Sequence, residues 1–158
     1  MVLREATSDD FEELTALYRA QIGRRFCLWN EHYPTSDNIE TDILLGNMFV
    51  AVSDGHIVGA VAIDTEDDLS DFDFWRFRED CCDLARLCVS PDHSGQGIGY
   101  RIMTDIDSLL RDRGYSAVHL LVGSENVPAY KTHMKAGYKK CGECNMYGSH
   151  YYACEKKL

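Results

Sequence analysis

Residues 84–103 constrain this chain more than any other stretch. Leu84-Ala-Arg-Leu-Cys-Val89 is apolar apart from Arg86, and Ser90-Pro91-Asp92 ends it. That pattern reads as a strand. From Ile98 the apolar residues return at helical spacing, at Ile98, Ile102, Ile106, Leu109 and Leu110. Gly95, Gly97 and Gly99 stand between strand and helix. Glycines at alternate positions let the backbone turn tightly and bring its N–H groups close to a ligand. The helix that follows turns its unpaired N–H groups and positive end to the same spot. An anion belongs there, and a phosphate fits it.

The other phosphate loops do not fit. A nucleoside triphosphate loop closes on Gly-Lys-Ser/Thr, whereas Gly97 is followed by Ile98 and Gly99. A dinucleotide fingerprint places its third glycine three positions after the second, and here the interval is two. A plain strand-to-helix turn needs fewer glycines than three.

A second segment follows at Tyr115–Gly123, β-rich and mostly apolar. Asn126 is placed to cap a helix, with Pro128 tolerated in its first turn. That helix runs to about Ala136, and Gly137 stops it.

The run Leu87-Cys-Val-Ser-Pro-Asp-His-Ser-Gly-Gln-Gly-Ile-Gly99 resembles the acetyl-CoA diphosphate loop of the GNAT superfamily of N-acetyltransferases. That loop is Arg/Gln-x-x-Gly-x-Gly/Ala, often Arg-Gly-x-Gly-Ile-Gly. Five of the six places match; Ser94 stands where the family usually has Arg. Arg101 or a lysine elsewhere is left to supply the charge. Asn126-Val-Pro-Ala-Tyr-Lys-Thr-His-Met-Lys-Ala-Gly-Tyr138 is similar to the family's second motif, in which Asn opens a helix, an aromatic sits one turn in and Gly-Phe/Tyr closes it. Together the two motifs cover roughly residues 83–140.

The resemblance implies a fold, a cofactor and a set of roles. The fold is α/β: a GNAT-like mixed, mostly antiparallel sheet of about seven strands flanked by four helices, with splayed central strands. The cofactor is acetyl-CoA as co-substrate. Its diphosphate falls to the backbone of Ser94, Gly95, Gln96, Gly97, Ile98 and Gly99, and Asn126 contributes to cofactor contacts besides capping its helix. Its pantetheine arm falls to the main chain of Leu87, Cys88 and Val89, in the gap between Leu84–Val89 and Ala117–Val122. Tyr130 matches the family's general acid for the departing thiolate. Family members frequently carry Glu, Asp or His at the place of Asp83, which makes Asp83 the candidate base, with Glu79, Asp80 and His119 as rivals. An ordinary aspartate, with a pKa of about 4, is a poor base for an ammonium, so its surroundings must help. The acceptor pocket in this family uses the connector after the first helix and the last hairpin. Trp29, Glu31, His32 and Tyr33 stand in the first, facing Tyr147 to Tyr151 in the second, and carboxylates with aromatic faces suit an ammonium group.

Composition narrows the partners. A chain of 158 residues is expected to form one domain, spanning residues 1–158. Net charge is −10, which disfavours nucleic acid and anionic membranes and weakly favours a cationic amine acceptor. No apolar run approaches the roughly 20 residues of a membrane span, and Met1–Asp10 has no signal-peptide core. A cytoplasmic location is expected. Seven cysteines include a lone Cys141-Gly-Glu-Cys144 pair; a zinc site needs a second pair, so no metal is expected. The family commonly forms homodimers, so a second copy of the chain is among the partners the resemblance implies.

Along the chain, Val2–Ala6 reads as a strand and Thr7 or Ser8 as the cap of a helix with Phe11, Leu14, Leu17 and Tyr18 inward. Ser36 starts a short helix. Met48–Ser53 and Ile57–Asp64 form a hairpin across Asp54-Gly55. Thr65–Asp80 is acidic and aromatic. Tyr138–Cys141 and Tyr151–Glu155 close the sheet. Taken with the resemblance, these features imply an acetyl-CoA-dependent N-acetyltransferase acting by direct transfer to a primary amine. The alternatives are an acyl-CoA-binding regulatory domain of the same fold without turnover, and an enzyme using another acyl donor or an oxygen acceptor.

Overall fold

The computed structural model describes residues 1–64 and 68–158. Thr65, Glu66 and Asp67, the start of the acidic, aromatic segment, lie outside the described residues. The chain divides into two compact units: residues 1–63 with 86–102, and residues 64–85 with 103–158. The division falls inside one strand and one helix.

Among the described residues there are seven strands and four α-helices. They are β1 (Val2–Glu5), α1 (Phe11–Arg19), α2 (Ser36–Leu44), β2 (Met48–Ser53), β3 (His56–Asp64), β4 (Cys81–Val89), α3 (Ile98–Asp112), β5 (Ala117–Gly123), α4 (Val127–Lys135), β6 (Lys139–Met146) and β7 (Ser149–Lys157). The sheet order is β1-β2-β3-β4-β5-β7-β6. The β4–β5 pairing is parallel, while β1–β2, β2–β3, β5–β7 and β6–β7 are antiparallel. This is the mixed, mostly antiparallel sheet the sequence implied.

The first unit buries the inward stripe of α1 (Leu14, Leu17, Tyr18) with Ile39 of α2, Met48 and Val50 of β2, Ala60 and Ala62 of β3 and Cys88 of β4. Thr35 caps α2, its Oγ1 accepting from the Asn38 N–H at 3.2 Å while the Asn38 amide reaches back to Thr35. Asp54 and Gly55 both take left-handed φ (52° and 84°), as a two-residue hairpin turn demands. Gly59 is needed for close approach: a Cβ there would come within 2.9 Å of the Cys88 carbonyl oxygen.

In the second unit Met103, Ile106 and Leu110 of α3 are fully buried, as are Val118 of β5 and Ala153 and Cys154 of β7. Asn126 caps α4, its Oδ1 accepting from the Ala129 N–H at 3.2 Å, and Gly137 ends the helix region at φ 96°.

Two strands run beyond the expected bounds. β4 begins at Cys81, three residues before Leu84, so Asp83 lies inside the strand rather than at its start. β6 runs to Met146 instead of Cys141. The parallel β4–β5 ladder covers Cys81–Leu84 against Ala117–Leu120 and stops there. Two residues later Arg86 takes φ 55°, a left-handed conformation that redirects a strand out of regular pairing.

Candidate active site

The glycine loop lies in the first unit. Ser90-Pro91-Asp92 leaves β4, with the Ser90 N–H held by the Val58 carbonyl at 2.9 Å, and passes through a short 3-10 turn over Pro91–His93. Gly95 and Gly97 then take φ 78° and 79°. A Cβ added at either would meet nothing within 4 Å, so the glycines serve the backbone conformation and leave open space above it. The sequence assigned the same duty to Gly99. Gly99 instead lies in the first turn of α3, without a left-handed φ. The Arg101 N–H bonds the Gly97 carbonyl at 3.1 Å, so the amides ahead of it point out of the helix N-terminus. A cavity of about 370 Å³ adjoins them, lined by His93, Gln96, Gly97, Ile98, Arg101 and Asp54 among others. Arg101 lies one turn into α3 with its Nη2 donating to the Met1 carbonyl at 3.1 Å. Ser94 is exposed, its N–H spent on the Pro91 carbonyl. Left-handed glycines, outward amides and a neighbouring guanidinium suit a diphosphate.

The strand before the loop is anchored by groups that sequence reading missed. The Arg86 guanidinium is buried and meets Asp42 of α2 at two points, Nη2–Oδ1 3.0 Å and Nε–Oδ2 2.9 Å. Its Nη1 donates to the Tyr33 hydroxyl at 2.9 Å. The Tyr18 hydroxyl donates to the Arg86 carbonyl at 2.9 Å, and Gln21 Nε2 donates to the Val89 carbonyl at 3.2 Å. One available signal was the lone charge in an apolar strand. The other was the carboxylate of Asp42, next to Ile43 and three residues after Ile39, on the inward face of α2. Cys88 is buried, and burial pushes its thiol up.

The acceptor candidates are placed unequally. The Trp29 ring packs edge-on against Tyr18, centroids 5.5 Å apart. Tyr33 is 39% exposed, its hydroxyl tied to Arg86. Glu31 projects into solvent beside His32.

The second unit holds the other candidates. Parallel register sets Asp83 beside His119, and antiparallel register sets His119 beside Glu155. Asp83 Oδ1 lies 3.3 Å from His119 Nδ1. His119 Nε2 lies 2.9 Å from the Phe77 carbonyl, and the Trp75 ring stacks on the imidazole, centroids 4.0 Å apart. Glu79 and Asp80, the rival carboxylates, are exposed outside the strand. Tyr130, one turn into α4, is half-buried and packs edge-on against Tyr152 at 5.3 Å. The Tyr152 ring carries the Lys140 ammonium over its face at 3.8 Å. Thus the structure joins Asp83 to His119, and Tyr130 stands with the aromatic residues of the closing hairpin. Among the described residues, no group of three or more His, Cys, Asp or Glu side chains is arranged to hold a metal.

A profile of the acetyltransferase (GNAT) family matches residues 11–138. The chain belongs to that family. The family is one of acyltransferases, and acetyl-CoA is its co-substrate. Among GNAT relatives, N-acetyltransferase 8 of Rattus norvegicus is 34% identical over 99 residues, which make up 62% of this chain and 41% of that protein. The chain spans about half or less of the length of the curated relatives it matches. The fold is that of the ribosomal-protein-alanine N-acetyltransferase from Brucella melitensis (TM-score 0.78, 21% identity, all of both chains). It is also that of yncA from Salmonella typhimurium, solved with its cofactor acetyl-CoA (TM-score 0.76, 21% identity, 100% of this chain and 94% of that one). The GNAT match includes the glycine loop and the α4 motif on which the sequence reading rested. No helix among the described residues is long and apolar enough to cross a membrane.

Proposed function

We propose that this chain moves an acetyl group from acetyl-CoA to a primary amine by direct attack within a ternary complex, its two units working as one acetyltransferase domain. The observation that carries the reading is the pair of left-handed glycines, Gly95 and Gly97, opening onto the α3 N-terminus beside an Arg101-lined cavity. Acetyl-CoA supplies an activated thioester. The amides from Gly95 to Gly99 hold its diphosphate, the Ser94 N–H being spent on Pro91, with Arg101 providing the charge that Ser94 lacks.

The main chain of Leu87 to Val89 aligns the pantetheine arm. The Leu87 N–H faces the thioester oxygen, where negative charge develops. The Val89 carbonyl is already engaged by Gln21, so Val89 contributes its N–H. Asp83 takes a proton from the acceptor ammonium, and Tyr130 gives one to the sulfur of the leaving coenzyme A. Asn126 fixes the start of α4 and so the place of Tyr130. Direct attack is favoured over a cysteinyl route because the thiols on the strands hold their protons. Burial pushes Cys82 and Cys154 up to about 12 and Cys141 up to about 11, and a thiol, unlike a thiolate, is a weak nucleophile.

The acceptor carries an ammonium group. Net charge of −10 and the aromatic residues Trp29 and Tyr33, with Glu31 nearby, support a cationic amine. The thiol-rich composition supports a cytoplasmic location. The test is acetyl transfer over a panel of primary amines, read by product mass. Acetylated product is expected with at least one amine. Acetyl-CoA binding without turnover on any amine would favour the regulatory alternative.

A further inference from the structure

We propose that the base of this reaction is an Asp83–His119 couple, in which Asp83 meets the amine and His119 stores the proton. The proposal rests on the acetyl-transfer reading above. Three observations carry it. First, His119 Nε2 faces the Phe77 carbonyl at 2.9 Å. A carbonyl only accepts, so Nε2 bears the hydrogen and Nδ1 is the nitrogen whose proton varies. Second, Nδ1 lies 3.3 Å from Asp83 Oδ1. That distance is long for a hydrogen bond and within the range that tightens when substrate binds. Third, the two side chains differ in access: Asp83 is 20% exposed and His119 8%. The carboxylate is the more accessible of the two, and the imidazole is the more deeply buried.

The surroundings fix this arrangement. Glu155, the register partner of His119 in β7, is buried, and its Oε2 accepts the N–H of Arg76 at 2.9 Å and of Phe77 at 3.4 Å. Its other oxygen lies 3.7 Å from the Arg76 guanidinium. Glu155 is therefore occupied in holding Phe77, whose carbonyl orients His119. Trp75 stacks on the imidazole and holds the plane of its ring. Cys81 is two residues from Asp83 along β4, and Lys139 is paired with Glu155 across β6–β7. His133 offers a contrast within the same unit: it is buried, and among the described residues its Nδ1 has no hydrogen-bond partner.

The protons balance. An ammonium and acetyl-CoA give an amide, coenzyme A and one released proton. One ammonium proton first passes to Asp83 and on to His119 Nδ1, which frees the nitrogen lone pair to bond the acetyl carbon; the carbon–sulfur bond then breaks as Tyr130 protonates the sulfur. The imidazolium then has both N–H groups on acceptors, Phe77 and Asp83, until it loses that proton to water. A second amine proton restores Tyr130 after it has protonated the sulfur. His119 acts through Asp83, so it is a positioning and proton-storing residue.

The test compares wild type, His119→Gln, Asp83→Asn and the double variant by kcat/KM against pH with one amine, whose own ionisation is common to all four. The couple predicts a fall of about 10²-fold in His119→Gln at pH 7 and an acid limb displaced toward the carboxylate range, with acetyl-CoA affinity unchanged. It also predicts a double variant no slower than Asp83→Asn. A folded His119→Gln with the wild-type pH profile would overturn it. If His119→Gln fails to fold, imidazole nitrogen NMR of wild type and Asp83→Asn decides. Nε2 should stay protonated at every pH, and loss of the carboxylate should move the Nδ1 titration to lower pH. A neutral Nδ1–H tautomer, or a titration indifferent to Asp83, would overturn the proposal. Should wild type acetylate no amine at all, the enzyme reading fails, and the NMR result still decides the couple.

Discussion

Arg86 and Asp42 form a buried ion pair with two contacts, both side chains about 5% exposed, and it joins the left-handed residue of β4 to α2. Removing one partner strands a charge in the interior. Asp42→Ala should lower the unfolding free energy by about 3–5 kcal/mol, measured by urea denaturation. Replacing both together, as Asp42→Leu with Arg86→Met, should recover most of that loss. A single variant within about 1 kcal/mol of wild type would show that the pair does not anchor the strand.

Tyr130→Phe keeps the ring edge on Tyr152 and removes only the hydroxyl. Turnover should fall about 10²-fold while acetyl-CoA affinity and melting temperature stay near wild type. Equal losses in turnover and affinity would make Tyr130 a packing residue.

Gly97→Val forces a branched side chain into a left-handed conformation, costing about 1–2 kcal/mol. The space around Gly97 is open, so the variant should still fold, a few degrees less stable. Its new side chain should occupy the place of the diphosphate, and acetyl-CoA should no longer bind by calorimetry. Retained affinity would remove the loop from the cofactor site.

His133 gives a pH signature of its own. Burial lowers its pKa from 6.5 to about 4. Between pH 6.5 and 4 the unfolded chain takes up a proton that the folded chain refuses, so stability falls as pH falls through that window and levels below it. The full step is about 3 kcal/mol. His133→Gln should lack this share of the acid loss in unfolding experiments at pH 7 and pH 4. An unchanged slope would mean that His133 titrates normally in the folded protein.

The glycine loop and the order of elements were legible because both are written locally: positive φ at Gly95 and Gly97, a capping Asn126, and apolar residues at helical spacing in α3. The early start of β4 was not, since Cys81-Cys82-Asp83 carries weak strand preference and is held by pairing with β5. The far half of β6 was hidden for a similar reason. It is a polar sheet edge whose pairing, among the described residues, is with β7 alone, and Gly142 interrupts its alternation. Asp83 was found as a single residue, yet its partner depends on the parallel register that sets it beside His119, and no local pattern encodes register between strands 36 residues apart. Arg86 was noticed only as an exception in an apolar run; Asp42 explains it, and that contact is tertiary.

Titration of the folded protein with acetyl-CoA in a calorimeter, paired with a melting curve, tests the central claim most directly. The account predicts a saturable, one-to-one heat and a higher melting temperature, both abolished in Gly97→Val. No heat and no stabilisation in the wild-type protein would contradict it.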